Sequence, residues 1–181
     1  MNPILKLILL PLVLLPAICA AQNAATKIPI PMKKGKIYFE KDYPLNDSLQ
    51  KKELFSKAYT WMKRDSPYEI TDIKTDVLAN KITGTGIFKI ITSSTGNYYL
   101  VKFIIALKVD AHGYSFSMYD LYEKPVESGI SNEYSKIEYR WWDFRQGKPW
   151  SAEDERLFKD IVLDEDVLMA SFENKMNSGN N

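Results

Sequence analysis

Apolar and polar positions alternate most regularly between Tyr98 and Val109, which predicts a strand. Tyr99, Val101, Phe103, Ile105, Leu107 and Val109 fall on one face, and Leu100, Lys102, Ile104, Ala106 and Lys108 on the other. Asp110 to Gly113 reads as a hairpin turn, and Tyr114 to Glu123 as the next strand. In that strand a simple period of two places Tyr114, Phe116, Met118 and Tyr122 together, opposite Ser115, Ser117 and Tyr119. Two further strands are expected upstream, at Tyr68–Lys74 and Ala79–Ile91, before the turn-forming TSSTGN of 92–97. The first strand is expected at Lys36–Tyr43. One face of the resulting antiparallel sheet is strongly apolar and the other mixed, as in a sheet covered on one side and open on the other.

Helical spacing appears at two places. Leu54, Ala58, Trp61 and Met62 fall at i, i+4, i+7 and i+8, which predicts a helix over 48–63 with Asp47 or Ser48 as its cap and Ser66-Pro67 as its stop. Ser151 is placed to cap a C-terminal helix whose first turn holds Glu153, Asp154 and Glu155. Leu157, Ile161, Leu168 and Phe172 lie on one side of it, and a break is expected at Leu163-Asp164. Between these elements, Lys124 to Pro149 has no clean period and is rich in Tyr and Trp. The expected order is β-α-β-β-β-β-α, an α+β fold with a curved antiparallel sheet and both helices on one face.

The N-terminal 21 residues read differently from the rest. Lys6 precedes an apolar stretch from Leu7 to Leu15, followed by Ala17, Cys19, Ala20 and Ala21, which is the layout of a secretory signal peptide. Pro11 and Pro16 break the apolar run, which is short of the roughly 20 residues a spanning helix needs. Cleavage is expected after Ala21. Cys19 offers a rival reading as a lipid-acceptor cysteine, but Ile18 and Pro16 occupy positions where such a motif wants a small and an aliphatic residue. The expected organisation is a signal peptide at 1–21, a flexible leader at 22–34, one domain at 35–176 with a long aromatic loop at 124–150, and a frayed tail at 177–181.

At 181 residues, 45% hydrophobic and 26% charged, with mean hydropathy −0.28, the chain has room for one globular domain. Removing the signal takes away one lysine and no acid, leaving the mature chain with as many basic as acidic residues. A nucleic-acid binder needs a basic excess or stripe to displace counterions, so nucleic acid is not an expected partner. The chain's single cysteine is Cys19, so the mature protein would have to be stable in an oxidising compartment without disulfides.

GKIYFEKDYPL at 35–45, KKELFSKAYTWM at 51–62, KITGTG at 81–86 and VKFIIALKVDAHGYSFSMYDL at 101–121 together resemble a family of secreted bacterial domains, domain of unknown function 4468. The resemblance spans roughly Gly35 to Glu123 and departs from the family pattern in the turn Val109-Asp110-Ala111-His112-Gly113-Tyr114. It implies a TATA-binding-protein-like (TBP-like) fold and an exported address. It implies no activity, and the fold name describes shape rather than DNA binding.

The inventory for catalysis is thin. His112 is the sole histidine and falls at an expected turn; there is no G-x-S-x-G elbow. A structural zinc site would need more His or Cys than remain. Gly84-Thr85-Gly86 lacks the lysine and following helix of a phosphate loop, and reads as a strand where a helix or ring packs closely. Asp164, Glu165 and Asp166 read as a solvated helix start. Glu127, Glu133 and Glu138 are candidates for a hydrolytic carboxylate pair. No cofactor or metal is expected. The expected role is a non-catalytic exported module binding an unknown protein or glycan, with membrane attachment only if Cys19 is lipidated. The alternative is a carboxylate-dependent hydrolase. The candidate binding residues are Trp141, Trp142, Arg140, Tyr119, Lys102 and Lys108.

Overall fold

The computed structural model of the chain describes residues 28, 30–44, 51–94, 96–110, 112–127, 132–140 and 151–178. Among these residues, seven strands form one antiparallel sheet: β1 (Met32–Lys33), β2 (Lys36–Pro44), β3 (Ile70–Asp76), β4 (Lys81–Ile91), β5 (Tyr98–Val109), β6 (Gly113–Val126) and β7 (Ser135–Lys136). The order across the sheet is β1-β2-β6-β5-β4-β3, with β7 pairing the end of β6 beyond β2. Helix α1 (Lys51–Thr60) lies between β2 and β3, and α2 (Ala152–Asn177) closes the chain. The fold is α+β, as the hydrophobic pattern and the resemblance both anticipate.

Both helices cover the face of β5 that carries Val101, Phe103, Ile105 and Leu107, all fully buried. Phe172 of α2 is the hub. Its ring lies 5.1 Å from Trp61, 5.4 Å from Tyr114, 6.0 Å from Phe116 and 6.2 Å from Tyr43, joining α2 to α1's end, β6 and β2. Each such side chain taken out of water contributes about 1.5–3 kcal/mol. Helix α1 ends in one wider π turn, Trp61–Asp65, in which the Ser66 amide donates to the Trp61 carbonyl at 2.9 Å. That turn keeps Trp61 and Met62 both buried, and Pro67 prevents continuation.

The two strand glycines allow this close packing. A Cβ on Gly86 would sit 2.3 Å from the Phe103 ring, and one on Gly84 would sit 2.4 Å from Ile70 and 3.2 Å from the Met62 sulfur. A neighbouring ring and a neighbouring helix both come close, as their positions in the sequence suggest.

Four expectations are corrected. The leader does not run to Lys34: Met32–Lys33 pairs with β2, and Ile28, Ile30 and Met32 pack against the core. Helix α2 is unbroken at Leu163-Asp164, because Asp164 accepts a hydrogen bond from the Tyr68 hydroxyl at 2.7 Å instead of capping a new segment. Asp164–Asp166 is therefore mid-helix, and Glu165 is only 2% exposed.

The fourth correction concerns Tyr122. Asp120 has a φ of +52° at a β-bulge, where the pairing shifts between Ile104↔Tyr119 and Lys102↔Tyr122. The extra residue reverses the alternation. Tyr114, Phe116 and Met118 point inward before it, and Leu121 and Glu123 after it. Tyr122 is thereby moved to the open face.

Candidate functional site

The face opposite the helices is built in rows by the strand register. Tyr38, Tyr119, Ile104 and Thr85 align across β2, β6, β5 and β4, and Glu40, Ser117, Ala106 and Thr83 form the adjoining row. The Tyr38 and Tyr119 rings stack at 5.5 Å and 17°. Lysines flank the aromatics. Lys102 lies 4.4 Å from the Tyr134 ring and 5.5 Å from that of Tyr122, and Lys89 lies 4.4 Å from that of Tyr98. Contacts of this kind are worth about 0.5–1 kcal/mol at exposed sites and hold the ammonium groups in place. Tyr134, from the connection after β6, leans over this face through Lys102 and Lys124.

The expected binding residues therefore divide. Tyr119 and Lys102 lie near the middle of the open face. Lys108 shares that face, opposite Ser115 and Lys81, but six residues along β5 from Lys102. At about 3.3 Å per residue the two lysines are about 20 Å apart, so they do not converge on one small ligand. Arg140 belongs elsewhere. Trp141 and Trp142 lie outside the described residues.

Arg140 is turned to the covered side, where it knots three elements together. Its Nε donates to Glu123 Oε1 at 2.5 Å, one terminal nitrogen to Asp154 Oδ1 at 2.6 Å, and the other to the Tyr99 hydroxyl at 2.8 Å. Glu123 is 5% exposed and its second carboxylate oxygen has no partner. Burial pushes its carboxyl above the usual range despite the opposing pull of Arg140. Burial acts on Asp154 in the same direction, but its bonds with Ser151 and Arg140 outweigh it and hold the carboxyl low. Burial likewise disfavours a charged Arg140, yet the Glu123 and Asp154 contacts outweigh that and hold its proton more firmly. Burial raises Tyr99 to about 12, so its phenol stays neutral as the Arg140 acceptor.

The residues before Arg140 are pinned as well. Ile137 is fully buried and its amide donates to the Leu121 carbonyl at 3.2 Å. Glu138 Oε1 accepts from the Ile37 amide of β2 at 3.0 Å, so this candidate acid has a structural task. Glu133 is exposed. His112 stands exposed in the β5–β6 turn, where its amide donates to Asp110 at 2.8 Å.

Sequence reasoning missed Glu123 and placed Glu165 at a solvated helix start, whereas it is buried. Burial drives the Glu165 carboxyl up to about 8, with Asp166 adding to the rise and Lys41 opposing it, and its Oε1 is buried without a partner. The signal for Glu165 was present, since it shares a helical face with Ile161, Leu168 and Phe172. That for Glu123 was hidden by the bulge.

No family model matches the chain, and no curated protein does. Two solved structures resemble it. A DUF4468 family protein from Bacteroides ovatus ATCC 8483 aligns with a TM-score of 0.65 at 15% identity, covering 84% of this chain and 92% of that one. A TBP-like protein from Parabacteroides distasonis ATCC 8503 aligns at 0.59 and 16% identity, covering 80% of this chain and 97% of that one. The fold is TBP-like. The likeness extends over most of both chains. At these identities it carries architecture and no residue roles.

Proposed function

We propose that the protein is an exported, non-catalytic module that holds a protein or glycan ligand against the open face of its sheet. The Tyr38–Tyr119 stack supports this reading most directly: two half-buried rings, flanked by lysines fixed against other tyrosines, on a face that neither helix covers. Aromatic rings beside cations are the side chains that dominate binding energy at interfaces. On the covered side, Arg140 is committed to holding β5, β6 and α2 together.

Export rests on the sequence of residues 1–21. Mass spectrometry of the mature N-terminus tests it: Gln22 as first residue supports cleavage after Ala21, and an acylated Cys19 would replace that reading with a lipid-anchored one.

The binding role is tested by pull-down from a cell-envelope extract with the mature chain, followed by Tyr119→Ala and Lys102→Ala. Both variants should lose capture while the melting temperature changes little. Trp141→Ala and Trp142→Ala should behave in the same way. Capture unchanged in Tyr119→Ala and Lys102→Ala would move the ligand off this face.

A further inference from the structure

We infer that a cleft at the edge of the open face, beside the Tyr38–Tyr119 row, is a subsite for one neutral sugar ring. The inference rests on reading the open face as the ligand-facing side, and it names the ligand class. The cleft encloses about 170 Å3 and is lined by Lys36, Asp120, Tyr122, Lys136, Glu138 and Tyr139. Four parts of the chain build it: the turn into β2, the bulge of β6, strand β7 and the helical residues after β7.

The chemistry of the lining selects the occupant. Two ammonium groups and two carboxylates leave it without net charge, so an anion would face Asp120 and Glu138, and a cation would face Lys36 and Lys136. A neutral polyhydroxyl ligand meets neither penalty. Lys36 Nζ donates to Asp120 Oδ1 at 2.8 Å, and the Ile37 amide uses only Oε1 of Glu138. Each carboxylate keeps a second oxygen to accept from a hydroxyl, and each ammonium keeps protons to donate to one. Tyr139, 61% exposed, offers its ring as a plane for the C–H face of a pyranose. A free amino acid would satisfy the charges but has no such face.

The cleft is preorganised. Ile137 is buried on one side of Tyr139 and Arg140 is held by three partners on the other, so the exposed ring sits on a fixed backbone. Asp120 adopts a left-handed conformation at the bulge, which its short polar side chain tolerates, and its pairing with Lys36 fixes the carboxylate at the cleft.

The test is a 1H–15N titration of the mature chain with methyl β-D-glucopyranoside, methyl β-D-galactopyranoside, methyl α-D-mannopyranoside and N-acetylglucosamine, beside glycine and inorganic phosphate. At least one sugar should shift the amides of Lys36, Asp120, Tyr122 and Tyr139, while glycine and phosphate leave them in place. Tyr139→Ala should weaken that sugar about tenfold, the loss of one well-made contact. Asp120→Asn, which keeps a residue tolerant of the left-handed region, should do the same. Lys108→Ala, at the far end of the face, should have no effect. Four silent sugars, equal shifts with glycine or phosphate, or an unaffected Tyr139→Ala would each overturn the subsite. If the chain ignored the sugars and still captured an envelope partner through Tyr119 and Lys102, the subsite would fall and the binding face would stand.

Discussion

Arg140 and Asp154 meet at 2.6 Å, although fourteen residues separate them in the chain. The same guanidinium holds Glu123 at 2.5 Å, so one side chain ties the residues before position 141 to the first turn of α2 and to the sheet. Asp154 is also half of the capping box with Ser151 that starts α2.

Arg140→Met should therefore destabilise the protein by about 3 kcal/mol at neutral pH, because it strands the buried Glu123 carboxylate. The deficit should shrink in acid. The Glu123 carboxyl already sits above its ordinary value, and without Arg140 it sits higher still. The unfolded chain titrates near the ordinary value, so the penalty grows as pH rises through that value towards the folded one and is absent below both. Asp154 acts in the same sense, since its lowered carboxyl supplies stability that is lost as pH falls. Urea unfolding at pH 7 and pH 4 checks this, and equal deficits at the two pH values would contradict it.

Glu165→Gln should flatten the pH dependence of stability. The wild-type carboxyl is raised to about 8 by burial on the sheet-facing side of α2, with Asp166 reinforcing and Lys41 opposing, while Tyr43 of β2 and Glu173 of α2 lie among the ionisable surroundings. A carboxyl raised in the folded state favours folding of the protonated form. Wild-type stability is thus expected to decline from the ordinary glutamate range, about pH 4.5, up to about pH 8. The variant should lack that decline and be the more stable chain above pH 8, as thermal unfolding across this range would reveal.

Gly86→Ala should cost about 1–3 kcal/mol, since the new methyl would meet the Phe103 ring at 2.3 Å. Combining it with Phe103→Leu should cost less than the sum of the two single changes, as a double-mutant cycle would measure.

Asp120→Gly should leave stability within about 1 kcal/mol of wild type, as relief of the left-handed backbone offsets the lost Lys36 pair. Asp120→Val should cost at least about 1–2 kcal/mol, because a β-branched residue resists that conformation. Contacts between Tyr122 and Lys102, read by nuclear Overhauser effects, should survive in the first variant and fade in the second.

The layout was most legible where the periodicity was clean. Strand β5 occupies Tyr98–Val109 as its alternation requires, and Leu54, Ala58, Trp61 and Met62 are all buried. Legibility failed where a single backbone torsion decides the outcome. Nothing in the local pattern marks Asp120 rather than a glycine as the bulge, so a plain alternation puts Tyr122 on the wrong face. Strand β1 has two residues, too few for any period to register. The acidic run at Asp164–Asp166 looked like a helix start, because the Tyr68 hydroxyl that engages Asp164 comes from a distant part of the chain. Arg140 reads from the sequence as a candidate binding residue beside two tryptophans. Its partners come from β5, β6 and α2, and no reading of adjacent residues assembles them.

The Arg140–Asp154 clasp also gives α2 an attachment besides the backbone: its first turn is fastened to β6 through Glu123 and to β5 through Tyr99. A helix bolted by side chains at its start and by Phe172 near its end resists being peeled from the sheet from either terminus.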